Sequence, residues 1–278
     1  MKQEGSALSR SRGKENRDGW MGVIEPTLSA RSVERLLSND IAFICVPDFL
    51  TADRCRAITS RFLDSSPPVY REFEYQIVKT LQLGLMFTQM PEGHSSYLDQ
   101  IRANNQTLRN IYAGGVDPLL KLKEDIARAS GYKIIPASRE GEPLSTDLIW
   151  ATRLGSCSPL HSDSYRAKPG PLPGRFKNMF SWNLYLAMCE KGGELVLYRR
   201  FPRAGDDKHA RRGYQWAYRH SVVAGAPCCV YRPKNGDMVI FNSGNYHEVR
   251  KTGGPTYRTS AHSYISFDPA AREAVFFI

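Results

Sequence analysis

Gly192-Gly193-Glu194-Leu195-Val196-Leu197-Tyr198 reads as a turn feeding a β-strand, two glycines followed by an apolar run. The pattern returns at Asn235-Gly236-Asp237-Met238-Val239-Ile240-Phe241. Working outward from these two stretches, β-type runs recur at 147–154, 180–188, 228–231, 238–242 and 257–267, with turn clusters at 168–174, 191–193, 233–237 and 252–255 between them. Strands at such intervals predict a sandwich or barrel over roughly 144–267.

The N-terminal half has a different rhythm. Ile41-Ala-Phe-Ile-Cys-Val46 predicts a strand, and Thr51-Ala-Asp53 starts a helix. That helix places Cys55, Ile58 and Phe62 on one face, at spacings of three and four, with Arg54, Arg56 and Arg61 to the flanks. A second helix is expected over 95–111, burying Tyr97, Ile101, Leu108 and Ile111. A third begins at Asp117-Pro118 and ends before Gly131, because Asp caps an N-terminus, Pro fits the first turn and Gly closes a C-terminus. The expected class is mainly β with N-terminal helices (α+β), helical support falling mainly over 51–131. Residues 1–20, rich in Ser, Arg, Lys and Glu, read as a flexible tail, and 21–278 as one domain.

The chain has 278 residues, of which 41% are hydrophobic and 24% charged, an ordinary balance for a folded protein. No apolar run approaches the ~18 residues of a membrane span, and the N-terminus lacks a secretory pattern. The six cysteines show no C-x-x-C spacing, and adjacent Cys228 and Cys229 are poorly placed to bridge each other; reduced thiols in a cytoplasm fit this usage. The formal charge of +10 is spread along the chain, with one denser stretch over 199–212. That distribution argues against a nucleic-acid face and suits a small anionic ligand or a solvated surface. Oligomeric state is not encoded in any of these patterns.

His161-Ser162-Asp163 lies in the β region, and His247 follows the 238–241 strand. Two imidazoles and a carboxylate form the facial triad of non-haem iron(II) sites, which leaves coordination positions open. On an extended backbone His161 and Asp163 project to the same side. In the run at Tyr257, alternate residues Arg258, Ser260 and His262 share a face, where an Arg can grip a carboxylate with two prongs and a Ser can add a hydrogen bond.

At these residues the chain resembles the iron(II)/2-oxoglutarate-dependent dioxygenase superfamily. Its pattern is His-x-Asp, a distant His, and an Arg about ten residues later, often followed by x-Ser. The resemblance is strong over the C-terminal half and weaker over 41–63. It implies a double-stranded β-helix (jelly roll, cupin-like), Fe(II) on His161, Asp163 and His247, and 2-oxoglutarate on Arg258 and Ser260, with O2 as the other cosubstrate. Within the superfamily the chain is most similar to the bacterial group that oxidises free small molecules, which includes halogenases. There the carboxylate ligand is typically replaced by a small residue such as Gly. Asp163 therefore implies hydroxylation of an aliphatic C–H bond in an amino acid derivative or natural-product intermediate, with succinate and CO2 released. Alternatives are a protein or nucleic-acid hydroxylase or demethylase, and a non-catalytic jelly-roll binding module.

Other residues have plainer readings. His94, His209 and His220 read as solvated or locally bonded, and His262 as a satisfied core histidine. Trp150 and Arg153, on the 147–154 strand, are substrate candidates that an odd spacing sends to opposite faces. Tyr214, Trp216 and Tyr218 alternate as one apolar strand face, and 199–212 reads as a loop with ordered ends rather than a lid.

Overall fold

The computed structural model describes residues 19–65, 69–72, 79–86, 94–139, 142–152, 155–163, 172, 174–211 and 214–278. In chain order the elements are β1 (Val23–Ile24), α1 (Ala30–Leu37), β2 (Phe43–Val46), α2 (Ala52–Asp64), β3 (Val69–Glu72), β4 (Lys79–Leu83), α3 (His94–Tyr112) and α4 (Pro118–Ser130). There follow β5 (Lys133–Ile135), β6 (Ser138–Arg139), β7 (Glu142–Pro143), β8 (Leu148–Thr152), β9 (Ser158–His161), β10 (Phe180–Ala187) and β11 (Leu195–Tyr198). The chain then runs through β12 (Ala210–Arg211), β13 (Tyr214–Tyr218), β14 (Cys228–Tyr231), β15 (Met238–Asn242), β16 (His247–Val249), β17 (Arg258–Asp268) and β18 (Glu273–Phe277).

The helices form where their punctuation predicts. Thr51 caps α2 by accepting from the Arg54 amide, and Cys55, Ile58 and Phe62 are wholly buried. Asp117 caps α4 through the amides of Leu119 and Leu120, and Gly131 closes it at φ 68°, a left-handed geometry natural to glycine. In α3 the expected stripe of Tyr97, Ile101, Leu108 and Ile111 is buried. Helix α1 was not expected from periodicity; its eight residues carry only Val33 and Leu36 as large buried side chains, and a Ser29–Ser32 capping box starts it.

A large sheet runs β1-β2-β15-β10-β17-β8-β4-β3, with β18 pairing the far half of β17 and β5 pairing β18. A smaller sheet runs β14-β11-β16-β9. The two face each other as a jelly roll: Phe43, Tyr185, Val239 and Phe241 of the large sheet pack with Leu195, Leu197 and Cys229 of the small one. The other face of the large sheet, with Ile44, Trp182, Leu184, Ile240, Ala261 and Ile265, packs against the α2 and α4 residues Ile58, Phe62, Leu122 and Ile126. Strand β17 is buried along its whole length because helices cover one face and the small sheet and loops cover the other.

Three boundaries differ from expectation. Trp20, placed in the tail, is 2% exposed, and its indole donates to the Asn39 carbonyl; the remainder of the predicted tail, residues 1–18, lies outside the described residues. The sheet recruits β2, β3, β4, β5 and β18 from beyond 144–267. Last, β9 ends at His161, so Asp163 lies past the strand rather than within it.

Candidate functional site

The small sheet brings the two halves of the His-x-Asp…His pattern together by register. Antiparallel β9 and β16 set His161 directly opposite His247, with ring centroids 4.2 Å apart. Asp163 reaches the same point through a stitched turn: its amide donates to Ser243 O at 2.9 Å, and Ser162 Oγ donates to Gly244 O at 2.7 Å. The Asp163 carboxylate then sits 3.6 Å from His161 Nε2 through one oxygen and 3.6 Å from His247 Nε2 through the other. The donor atoms of the three residues all lie within 4.8 Å of one another.

Both rings are held in one tautomer. Nδ1 of His161 lies 2.7 Å from Pro159 O and Nδ1 of His247 lies 2.9 Å from Asn245 O. A carbonyl only accepts, so each Nδ1 carries a hydrogen and each Nε2 is the ring atom turned toward Asp163. Burial and the neighbouring His161 push the His247 pKa down to about 4, against the pull of Asp163, so its ring is neutral at working pH. Two imidazole nitrogens and a carboxylate suit a divalent transition metal, and at Fe(II) they leave positions for further ligands.

Strand β17 of the large sheet presents Arg258, Ser260 and His262 on one face by alternation, as read from the sequence. Arg258 is 5% exposed and lies over the Tyr185 ring at 5.1 Å. Its Nε has no hydrogen-bond partner, and among the described residues no carboxylate pairs with it. A buried guanidinium calls for an anion, and none of the described carboxylates supplies it. Room for it comes from Gly193, at φ 73°, where a Cβ would stand 2.8 Å from Cys189 Sγ and 3.2 Å from Arg258 Cδ. The Gly192-Gly193 pair was legible as a turn, but its closeness to Arg258 was not.

Trp150, expected as a substrate candidate, lies against Ser260 and His262. Its Nε1 donates to Ser260 Oγ at 2.8 Å, and its ring stacks on His262 at 5.1 Å and 10°. With that lone pair of Ser260 engaged, the hydroxyl hydrogen is available to an acceptor elsewhere. Arg153, the other substrate candidate, lies outside the described residues. His262, expected to be satisfied, is half satisfied among the described residues: Nδ1 meets Trp182 O at 2.9 Å while buried Nε2 has no partner there.

The 199–212 stretch is more ordered than a loop with fixed ends, apart from Arg212, which lies outside the described residues. Asp206 anchors its middle, pairing with Arg200 at 2.7 Å and accepting from the Arg203 amide at 2.7 Å and the Tyr246 hydroxyl at 3.0 Å. Tyr246 precedes His247, so this anchor borders the triad. Trp216 is 43% exposed and does not extend an apolar face; its ring meets the edge of His161 at 5.6 Å. His209 and His220 are locally bonded as expected, to Ser221 and Glu248. All six cysteines are free. No helix among the described residues is long and apolar enough to cross a membrane.

Comparison with known proteins places this geometry. The L-gamma-glutamyl-L-propargylglycine hydroxylase of Streptantibioticus cattleyicolor is 28% identical over 159 residues, a match spanning 56% of this chain and 58% of that protein. The leucinostatins biosynthesis cluster protein S of Purpureocillium lilacinum is 32% identical over 172 residues, 60% of this chain and 69% of that protein. Among solved structures, an N-substituted L-amino acid dioxygenase from Burkholderia ambifaria shares the fold at a TM-score of 0.58 and 13% identity, covering 90% of this chain and 91% of that one. The pattern of the family described as carrier-protein-independent halogenase WelO5 matches residues 22–278, and the chain belongs to that family.

Proposed function

We propose that this chain is an iron(II)- and 2-oxoglutarate-dependent oxygenase that hydroxylates an aliphatic C–H bond of a small molecule, an amino acid derivative or natural-product intermediate. The carrying observation is the cluster of two imidazoles and one carboxylate, together with a buried Arg258 that no carboxylate among the described residues pairs with. Names of relatives support the substrate class: a hydroxylase of a γ-glutamyl amino acid, and a dioxygenase of N-substituted amino acids that shares the fold.

In this reading His161, Asp163 and His247 hold the metal, Arg258 neutralises the distal carboxylate of 2-oxoglutarate, and Ser260 donates to that carboxylate while Trp150 holds the serine in place. Iron(II) with 2-oxoglutarate and O2 supplies the oxidising power that breaks an unactivated C–H bond, with succinate and CO2 as coproducts. The chain itself orients the reactants and keeps bulk water from them. Asp163 fills the position that a halide needs, so the outcome is hydroxylation although the family is named for a halogenase.

The test is anaerobic titration of the apoprotein with Fe(II) and 2-oxoglutarate, reading the visible charge-transfer band of the chelate. A band in wild type that is lost in His247→Ala and Arg258→Ala is expected. A folded wild type without the band overturns the reading in favour of a binding module.

A further inference from the structure

His262 is the buried polar group that the proposed metal and cosubstrate roles leave unused. It is 3% exposed, and its ring is fixed between the stacked Trp150 and the edge of Tyr264, whose centroid lies 4.8 Å away. The Trp182 carbonyl at 2.9 Å takes the Nδ1 hydrogen, so Nε2 carries a bare lone pair, and it has no partner among the described residues. Burial, with the nearby Arg258 cation, holds the ring neutral, its pKa lowered to about 4 despite the opposing pull of Asp163 and the Trp182 carbonyl. Nε2 is therefore a fixed acceptor.

Its register neighbour on β10 is Asn183. Trp182 and Leu184 point into the helix-side core, so alternation turns Asn183 to the opposite face, the one that carries Tyr185. Asn183 is 8% exposed and its carboxamide has no hydrogen bond among the described residues. Neighbouring strands thus offer, side by side, an acceptor that cannot rotate away and an amide that can donate.

The carboxylates and keto oxygen of 2-oxoglutarate only accept, so they cannot satisfy Nε2. Among the described residues no donor reaches it, which leaves that role to a bound substrate. We propose that His262 and Asn183 anchor the substrate by a secondary amide, His262 Nε2 accepting from its N–H and Asn183 donating to its carbonyl. This assignment rests on the oxygenase reading above, and it narrows the substrate to amide-bearing compounds such as N-acyl amino acids and small γ-glutamyl peptides. It makes His262 and Asn183 specificity residues with no part in holding metal or cosubstrate.

The experiment uses the Fe(II)-loaded full chain with a panel of N-acetyl amino acids and γ-glutamyl dipeptides, each beside its twin methylated on the amide nitrogen. Succinate release gives kcat and KM, and the anaerobic charge-transfer band serves as an independent readout. Wild type should favour the N–H compound by tenfold or more in KM. His262→Phe, which keeps a ring to stack on Trp150, should lose that preference with an unchanged band, and His262→Gln should restore part of it. A preference that survives in His262→Phe overturns the proposal. So does a wild type that forms the band yet treats every pair alike, inactivity on the whole panel included. Loss of the band in His262→Phe would assign the residue to the cosubstrate and likewise overturn it. Should that variant not fold, Asn183→Leu is compared on the carbonyl side, where a KM equal to wild type overturns the proposal. Absence of the band in wild type is the separate failure of the oxygenase reading.

Discussion

His161 stands directly across from His247 on the paired strands β9 and β16, ring centroids 4.2 Å apart, with Asp163 closing the triangle. Removing the carboxylate should leave the imidazole pair in place, because both rings are anchored through Nδ1 to backbone carbonyls. Asp163→Gly is expected to abolish hydroxylation and to open a position for chloride. Product analysis with and without chloride checks this, and unchanged hydroxylation would remove Asp163 from the metal.

Trp150 donates to Ser260, the residue proposed to bind the cosubstrate. Trp150→Phe keeps the ring on His262 and deletes the indole hydrogen bond, a loss of about 1 kcal/mol. The KM for 2-oxoglutarate should rise roughly fivefold, with kcat nearly unchanged. A KM equal to wild type would show that Ser260 needs no such support.

Gly193→Ala forces a side chain into a left-handed backbone and against Arg258. A destabilisation of about 1–3 kcal/mol is expected from the backbone alone. Weaker 2-oxoglutarate binding should accompany it, which calorimetric titration under anaerobic conditions measures. Loss of stability with intact affinity would mean that Arg258 tolerates the crowding.

Two buried histidines tie stability to pH in a stated direction. His247 and His262 have pKa values lowered from 6.5 to about 4, chiefly by burial. The unfolded chain binds more protons between those values, so their contribution is complete above about 6.5 and is lost as pH falls toward about 4. Chemical denaturation of the metal-free protein across this window should show stability falling with acidification, and less steeply in His262→Phe. Equal slopes would assign the effect to other groups.

Asp206 is the hub that ties the 199–211 segment to Tyr246. Burial alone would raise its pKa, but hydrogen bonds from the Arg203 amide and Tyr246, with the Arg200 charge, hold it below the ordinary carboxylate range. Asp206→Ala strands the half-buried Arg200 and should cost about 3 kcal/mol. Limited proteolysis should then cut this segment first. A variant as stable and as resistant as wild type would mean the hub is dispensable.

Local chemistry is what a sequence carries openly, and here it carried a good deal. Caps at Thr51, Asp117 and Gly131, the 3.6-residue stripe of α2, and the alternation of β10 and β17 depend on neighbours a few residues apart, so α2, α4, β14 and β15 were legible nearly to the residue. The grouping of His161, Asp163 and His247 came instead from the resemblance to a family pattern, since His247 lies far along the chain from the other two. Strands β9 and β16 were not legible, being short and built around the polar cluster, and neither were α1 and β18. Only the tertiary structure decided that Asp163 arrives by a turn stitched to Ser243 and Gly244, that Trp150 serves Ser260, and that His262 keeps an unpaired nitrogen beside Asn183. Each of these depends on groups 80 or more residues apart meeting across a sheet. Hydrogen-bond partners at that separation are set by strand register and packing, which no local pattern encodes.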